Sequence, residues 1–473
     1  MSIKKPIYIT YMLQQVEYNP YKLWQWHKDL GKFLRPISKV SNRKSLVLTN
    51  RARLLVLAGY MHYAFIFAIG IFAIGAGMPL KNFVFAVVIS YLIASGTSVV
   101  YYWILASLVL KFIIKPERNK QRQIAKDIFA KHRAIKIAVL GSYGKTSMKE
   151  MLALILSESK NVAMTLGNLN VVASHAKFAK SLTGTEEIII VEFGEGKPGD
   201  ISDMAEMLKP DYAIITGLAP NHLDEYDSIE MIAGDFLEIQ KFVSPENIFF
   251  NTDSEHLKKY IPPKTQTYSS STVLGWTIAN VDVKINKLSF VMNKSGISIK
   301  VESRLTGRHH VAPLALAVAL AYKLGLKANA IELGISKITP HKHRMEPRQL
   351  SGAWIIDDTY NGNIEGMSAG LKLLSELKAK RKWYVTPGLV DQGEETNNVH
   401  IELGKKIAES NPDIVVLMEN TVRPVIQKSM RDNGFKGELR IEAEPLEFYK
   451  NLEYIIANGD IVMMQNDWTD NYS

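Results

Sequence analysis

The stretch IKIAVLGSYGKTSMKEMLALILSES, residues 135–159, decides how the chain is read. An apolar run meets a glycine-bracketed turn, and a segment with helical patterning follows. Strand, turn and helix in that order surround phosphate oxygens with backbone N–H groups and a helix N-terminus. Gly141 and Gly144 permit the turn, Lys145 is placed to reach the β- and γ-phosphates, and Thr146 to hold Mg²⁺. Ser142, Tyr143 and Ser147 complete the loop, so ATP and Mg²⁺ are the cofactors it predicts. The full G-x-x-x-x-G-K-[ST] pattern is not met, because Val139 stands five before Gly144. A shortened match is also what a helix cap with a chance Gly-Lys looks like. The strand before the turn and the patterned helix after it favour the phosphate loop.

Outward from this loop the pattern alternates. EIIIVEFG, DYAIITGLA and AWIIDD read as strands, and DISDMAEMLK, SIEMIAGDFLEIQKFV and MSAGLKLLSELK as helices. Strands alternating with helices of this length imply parallel βαβ units, so the fold class is α/β. Between about 265 and 303 short alternating β segments replace that rhythm and read as a sheet extension. The expected layout is a central ATP-binding domain with a parallel sheet over 135–343 and a Rossmann-like α/β domain over 344–473. Glu192 ends one strand and His222 follows another, both at the carboxyl edge where a parallel sheet binds ligands. Each alone reads equally as a solvated loop residue; beside the GKTS loop they become candidate Mg²⁺ ligands.

The first quarter is different in kind. Hydrophobic residues make up 47% of the chain, an ordinary share, but Leu54–Leu80 and Asn82–Leu110 contain no Asp, Glu, Lys or Arg. Each run exceeds the roughly 20 apolar residues that cross a bilayer as helix. The expectation is a two-helix transmembrane hairpin over 53–115, preceded by an interfacial or helical-cap segment (1–52) and followed by a basic linker helix (116–134). Arg43, Lys44, Arg51 and Arg53 flank one end, and Lys111, Lys115, Arg118, Lys120 and Arg122 the other, against Lys81 alone in the turn. This bias places both termini and the catalytic domains in the cytoplasm, on a two-pass membrane protein. The net charge of +10 therefore points to anionic lipid, and no basic stripe with interleaved aromatics points to nucleic acid. No cysteine is present, which rules out disulfides, thiolate catalysis and Cys-type zinc sites.

The segments IAVLGSYGKTSMKEM, TLGNLN, IVEFGEGKPGDISDMAEMLKPDYAIITGLAPNHLDEYDSIEMIA, HRMEP, IIDDTYNGNIEGM and VTPGLVDQG with the later His400 together resemble the Mur ligases. They are most like the branch that adds D-alanyl-D-alanine to a UDP-muramoyl tripeptide. The resemblance runs in order over about 135–473 and implies an ATP-dependent ligase of peptidoglycan synthesis. A substrate carboxylate takes the γ-phosphoryl group, and an amine then displaces phosphate from the acyl phosphate. It further implies Lys145, Glu192, His222 and Arg344 as catalytic residues, with Thr146, Glu192 and His222 at the metal. His309, Asp358, Tyr360 and Asn361 would contact the nucleotide; Asn168, Asn170 and Asn363 would line the substrates.

Three departures accompany it. The family's carbamylated lysine is replaced by Phe236 in IAGDFLEI, leaving Asp235, Glu238 or a single metal as alternatives. HNxxN becomes HHVAP, with His310 and Pro313 in place of the asparagines. The hairpin stands where the UDP-binding domain is expected. The acceptor is accordingly a lipid-linked or a UDP-linked wall precursor, and the donor an amino acid or dipeptide. A membrane ligase of a polyglutamate-type polymer and a catalytically impaired ATP-binding scaffold are the competing readings.

Overall fold

The structure is a computed structural model that describes residues 5–15, 18–21, 23–24, 46–74, 80–167, 169–220, 225–360, 362–389, 392 and 395–466. It divides into two compact units, residues 1–120 and 121–473.

In the first unit the helices Asn50–Ile74 and Leu80–Val109 lie antiparallel. Their register is set by Tyr101 donating to Ala58 O at 3.2 Å and His62 bonding Thr97 at 3.1 Å, with Gly70 packed against Ser90. At 1.5 Å per residue these helices run about 38 and 45 Å. A shorter helix, Lys5–Gln15, packs on the pair, with Tyr102 donating to Pro6 O and Leu55 O and Lys5 Nζ to Ser95 O. The tract YNPYKLWQWHKDLGKFL falls almost wholly outside the described residues. A π-helical turn, Leu110–Ile114, leads into the helix Lys115–Lys131, the predicted connector.

In the second unit ten strands among the described residues form one sheet: β1 (Ile135–Leu140), β2 (Val162–Met164), β3 (Ile188–Glu192), β4 (Tyr212–Ile215), β5 (Ile248–Asn251), β6 (Gln266–Tyr268), β7 (Thr272–Val273), β8 (Trp276–Lys284), β9 (Lys287–Lys294) and β10 (Ile297–Ser303). Their order is β10-β9-β8-β7-β6-β5-β4-β1-β3-β2. β1 to β6 pair in parallel, and β7 to β10 are antiparallel, the sheet extension that the alternating segments predict. β1 is apolar throughout because both faces are covered. Ile137 and Val139 join the core under the helices Lys145–Leu156 and Val311–Lys323, and Ala138 and Leu140 the opposite core under Val172–Ser181, Asp200–Leu208 and Ile229–Leu237. The connector docks on that second layer through Phe129 and through Arg122, whose guanidinium pairs with Asp203 and Glu206.

A six-stranded sheet follows: β11 (Glu346–Leu350), β12 (Ala353–Asp358), β13 (Lys382–Thr386), β14 (Ile414–Met418), β15 (Glu438–Glu442) and β16 (Ile461–Gln465), in the order β11-β12-β16-β13-β14-β15. All pairs but β11–β12 are parallel, and helices cover both faces. The carboxyl ends of β1, β3 and β4 adjoin in the first sheet, which gathers Gly141, Glu192 and Thr216 at one edge.

Candidate active site

The phosphate loop is held by the segment after β4. Gly141 has φ 136°, and a Cβ there would lie 2.4 Å from Thr216 Oγ1, so only glycine fits. Ser142 N donates to Gly217 O at 2.9 Å, its hydroxyl to Ala219 O at 3.2 Å, and the Thr216 hydroxyl bonds the Tyr143 carbonyl. Gly144 is the left-handed N-cap of the helix Lys145–Leu156, and no side chain caps that helix. The first-turn N–H groups thus keep the partial positive charge that attracts an anion. Thr146 is buried just inside this turn, and Ser147 is half-buried beside it.

Two lysines one turn apart on this helix each meet a carboxylate from the end of β3. Lys145 Nζ lies 2.7 Å from Glu195 Oε2 and also bonds Gly141 O. Lys149, with no exposure, places its ammonium 3.0 Å from Glu192 Oε2 and 2.5 Å from Gly167 O. The other oxygen of Glu192 accepts from Asn170 Nδ2 at 3.2 Å, which brings the predicted Glu192 and Asn170 together. Beneath them His175 donates Nε2–H to Glu192 O, and burial lowers its pKa to about 4, so the imidazole is a neutral strut. Lys149 and Glu195 lie within the segments that carry the resemblance but are not among the expected site residues.

The C-terminal domain supplies the other wall. Glu365, at the start of the helix Ile364–Glu376, accepts from Ser254 Oγ at 3.5 Å and faces the Tyr143 hydroxyl of the 141–147 loop. Burial pushes the Tyr143 hydroxyl up and Glu365 to about 7. Asp358, at the end of β12, accepts from Gln465 Nε2 at 2.8 Å and Met345 N at 3.1 Å, and burial raises it to about 7 as well. The Arg344 guanidinium stacks 4.5 Å over the Tyr360 ring. Asn363 is the N-cap of its helix, accepting from Gly366 N at 2.8 Å. His309 is exposed and packs on His310, with ring centroids 4.0 Å apart. His400 is buried and accepts from Leu389 N at 3.0 Å, which holds the end of the described segment that follows β13.

Asn168, His222 and Asn361 lie outside the described residues. Phe236 is sealed in the hydrophobic core. Of the two carboxylates weighed for its role, Asp235 accepts from Gly199 N and Tyr226 OH, both at 2.8 Å, and Glu238 pairs with Lys241. The chemistry of the loop's donor set suits a hard divalent cation: a threonine hydroxyl and a buried carboxylate, both oxygen.

The Mur ligase middle domain matches residues 139–321, and the Mur ligase glutamate ligase domain matches 343–465. The chain belongs to the Mur ligase family. Mur ligases are ATP-dependent enzymes that form amide bonds, and this one shares their central and C-terminal domains. It is 28% identical over 314 residues to the UDP-N-acetylmuramoyl-tripeptide–D-alanyl-D-alanine ligase of Escherichia coli, covering 65% of this chain and 69% of that one. The namesake enzyme of Bacillus subtilis is 26% identical over 282 residues, 59% of this chain and 61% of the relative. Among solved structures, MurF from Acinetobacter baumannii superposes with a TM-score of 0.65 at 21% identity, covering 74% of this Mur ligase and 77% of that chain. MurF from Thermotoga maritima in complex with ADP gives 0.64 at 20% identity, covering 75% and 81%. These two likenesses show the shared fold.

Proposed function

We propose that this Mur ligase is a membrane-anchored, ATP-dependent carboxylate–amine ligase of peptidoglycan precursor synthesis, joining a D-alanyl-D-alanine-type donor to a muramoyl-peptide acceptor. The observation that carries the reading is the juxtaposition at β1 and β3: a helix with no side-chain cap begins with Lys145, and Glu192 and Glu195 at the end of the neighbouring strand each meet a lysine of that helix. The curated relatives named for this reaction support the choice of substrates.

The residues divide the work as follows. Backbone N–H groups of the first turn at 144–147 and the Lys145 ammonium bind the triphosphate and neutralise charge as the γ-phosphoryl group moves to the acceptor carboxylate oxygen and ADP departs. Lys149 and Asn170 fix the orientation of Glu192, and Asn168 and Asn170 line the acceptor side. Thr146, Glu192 and His222 would hold Mg²⁺, which when bound supplies further positive charge to the phosphates. Arg344, Asp358, Tyr360, Asn361 and Asn363 bind nucleotide and donor from the C-terminal domain, and His309 contacts the nucleotide from the central one. The amine nitrogen then attacks the acyl carbon, the bond to phosphate breaks, and the nitrogen sheds its proton. Tyr143–Glu365 links the two walls and excludes water between them.

The anchor rests on a second observation. Leu54, Leu57, Met61, Phe65, Ile69 and Phe72 are all exposed on the helix Asn50–Ile74, at spacings that recur along one side. Lipid is the solvent that covers such a face, with both termini in the cytoplasm. Full-length protein in nanodiscs should release phosphate from ATP only when acceptor and donor are both present. Activity on lipid-linked but not UDP-linked acceptor would assign the anchor a substrate role, and the reverse would make it a tether. Failure with every muramoyl acceptor, with turnover on a glutamate polymer, would overturn the substrate assignment. Because the chain has no cysteine, single introduced cysteines report the topology directly.

A further inference from the structure

Lys145 does not wait unpaired for its phosphate. Its ammonium is 2.7 Å from Glu195 Oε2, and the two side chains are only 12% and 2% exposed, so water screens the pair weakly. Glu195 sits in FGEG, between Gly194 and Gly196, on the turn that leaves β3. Gly194 is fixed: its N–H donates to Asn170 O at 2.8 Å, and a Cβ there would lie 2.7 Å from Asn170 Cγ. The carboxylate therefore projects from a short glycine-flanked turn anchored beside Glu192. Among the described residues, Asp200 and Asp235 act, as Glu195 does, on the Tyr226 hydroxyl. Asp235 already takes the Tyr226 proton donor, and the Lys197 N–H is taken by Asp200.

Resting on the ligase reading, we infer that Glu195 is an internal competitor for the nucleotide: its carboxylate occupies the Lys145 ammonium in the nucleotide-free enzyme and must give it up for phosphate to bind. A phosphate oxygen and the Glu195 carboxylate compete for the charge and reach of one ammonium, which also donates to Gly141 O. Phosphate that takes the ammonium leaves Glu195 a buried, unpaired carboxylate. The fraction of enzyme with Lys145 released sets the apparent nucleotide affinity, which the pair lowers by that fraction. Glu195 is thus a positioning residue acting through Lys145. It keeps the loop lysine extended and the empty site electrically balanced, and it makes ATP capture depend on displacing the pair.

The test is equilibrium binding of ADP and ATP to the full-length protein, wild type against Glu195→Gln, Glu195→Ala and Glu195→Asp, followed by steady-state phosphate release. Glu195→Gln should bind ADP about tenfold tighter, a change of about 1.4 kcal/mol. Its KM for ATP should fall while kcat changes less, and Glu195→Asp should stay near wild type. A melting curve of each nucleotide-free variant shows that it is folded. Glu195→Gln that binds nucleotide equally or more weakly, in a folded protein, overturns this inference and leaves the ligase reading standing. Wild type that binds no nucleotide, or that binds it unchanged after Lys145→Ala, overturns both.

Discussion

The two walls of the cleft handle charge in opposite ways. On the central-domain wall both carboxylates, Glu192 and Glu195, meet a lysine ammonium at 3.0 and 2.7 Å, and those lysines come from one helix. On the C-terminal wall Asp358 and Glu365 take their hydrogen bonds from neutral groups: the Gln465 amide and Met345 N–H, and the Tyr143 and Ser254 hydroxyls. Burial then dominates there, and both acids rise to about 7. The first wall pairs each acid directly with an ammonium. On the second, Arg344 acts on Asp358 without a direct ion pair and His256 stands 3.9 Å from Glu365, and burial prevails over both.

The hardest blow to the first wall is the loss of its loop lysine. Lys145→Ala should lower ATP-dependent phosphate release by at least about 10²–10³-fold, the scale of removing one transition-state donor. It should also lower the melting temperature, because Glu195 is left buried and unpaired. Lys145→Ala combined with Glu195→Gln should recover the melting temperature and not the activity. Recovery of both would mean that the wall needs only neutrality, and the contrast between the walls would lose its meaning.

Lys149 offers a gentler version of the same test. Lys149→Met should cost about 3–5 kcal/mol of stability, the scale for breaking a buried pair from one side. Replacing both partners, with Glu192→Gln added, should return most of that in chemical denaturation. A double variant as unstable as the single one would show that Gly167 and the loop it belongs to, rather than Glu192, are what Lys149 supports.

Much of this architecture was legible in the residues. Strands such as IIIVE are apolar end to end because both sheet faces are covered, and β8 to β10 alternate because one face is more open. The glycines of GSYGKTS announce their turn through a conformation that other residues avoid. Lys149 and Glu195 were invisible for a different reason. Their partners lie 43 and 50 residues away, and no local period relates a helix position to a strand end across a crossover. The Tyr143–Glu365 link is harder still, since it joins two domains. Phe236 shows the reverse case: its departure from the family pattern was plain in the sequence, yet only the fold shows the ring sealed in the core.

On the second wall, Arg344 and Tyr360 test whether an aromatic face does the work that a carboxylate does on the first. Arg344→Lys keeps the charge but loses the flat guanidinium stacked on the ring, and should bind nucleotide nearly as poorly as Arg344→Ala. A double-mutant cycle with Tyr360→Ala should give a coupling of about 0.5–2 kcal/mol. No coupling would mean that the stacking is incidental.

The smallest effect is a pH dependence of stability, and its sign separates the walls. Asp358 and Glu365 move up from 3.8 and 4.5 to about 7 on folding, so over that interval the folded chain holds protons that the unfolded chain has released. Stability contributed by these protons is full below about 4 and is lost as pH rises through about 7, with no further change above it. The melting temperature should therefore decline between about pH 4 and 7 for wild type and then level, and the decline should shrink in Asp358→Asn and again in Asp358→Asn/Glu365→Gln. The glutamates of the first wall, each held by an ammonium, make the matching control. Glu195→Gln should leave that decline in place, since the acids that drive it lie on the other side of the cleft. A decline that vanished with Glu195→Gln would place the titrating group on the phosphate-loop wall and reverse the comparison.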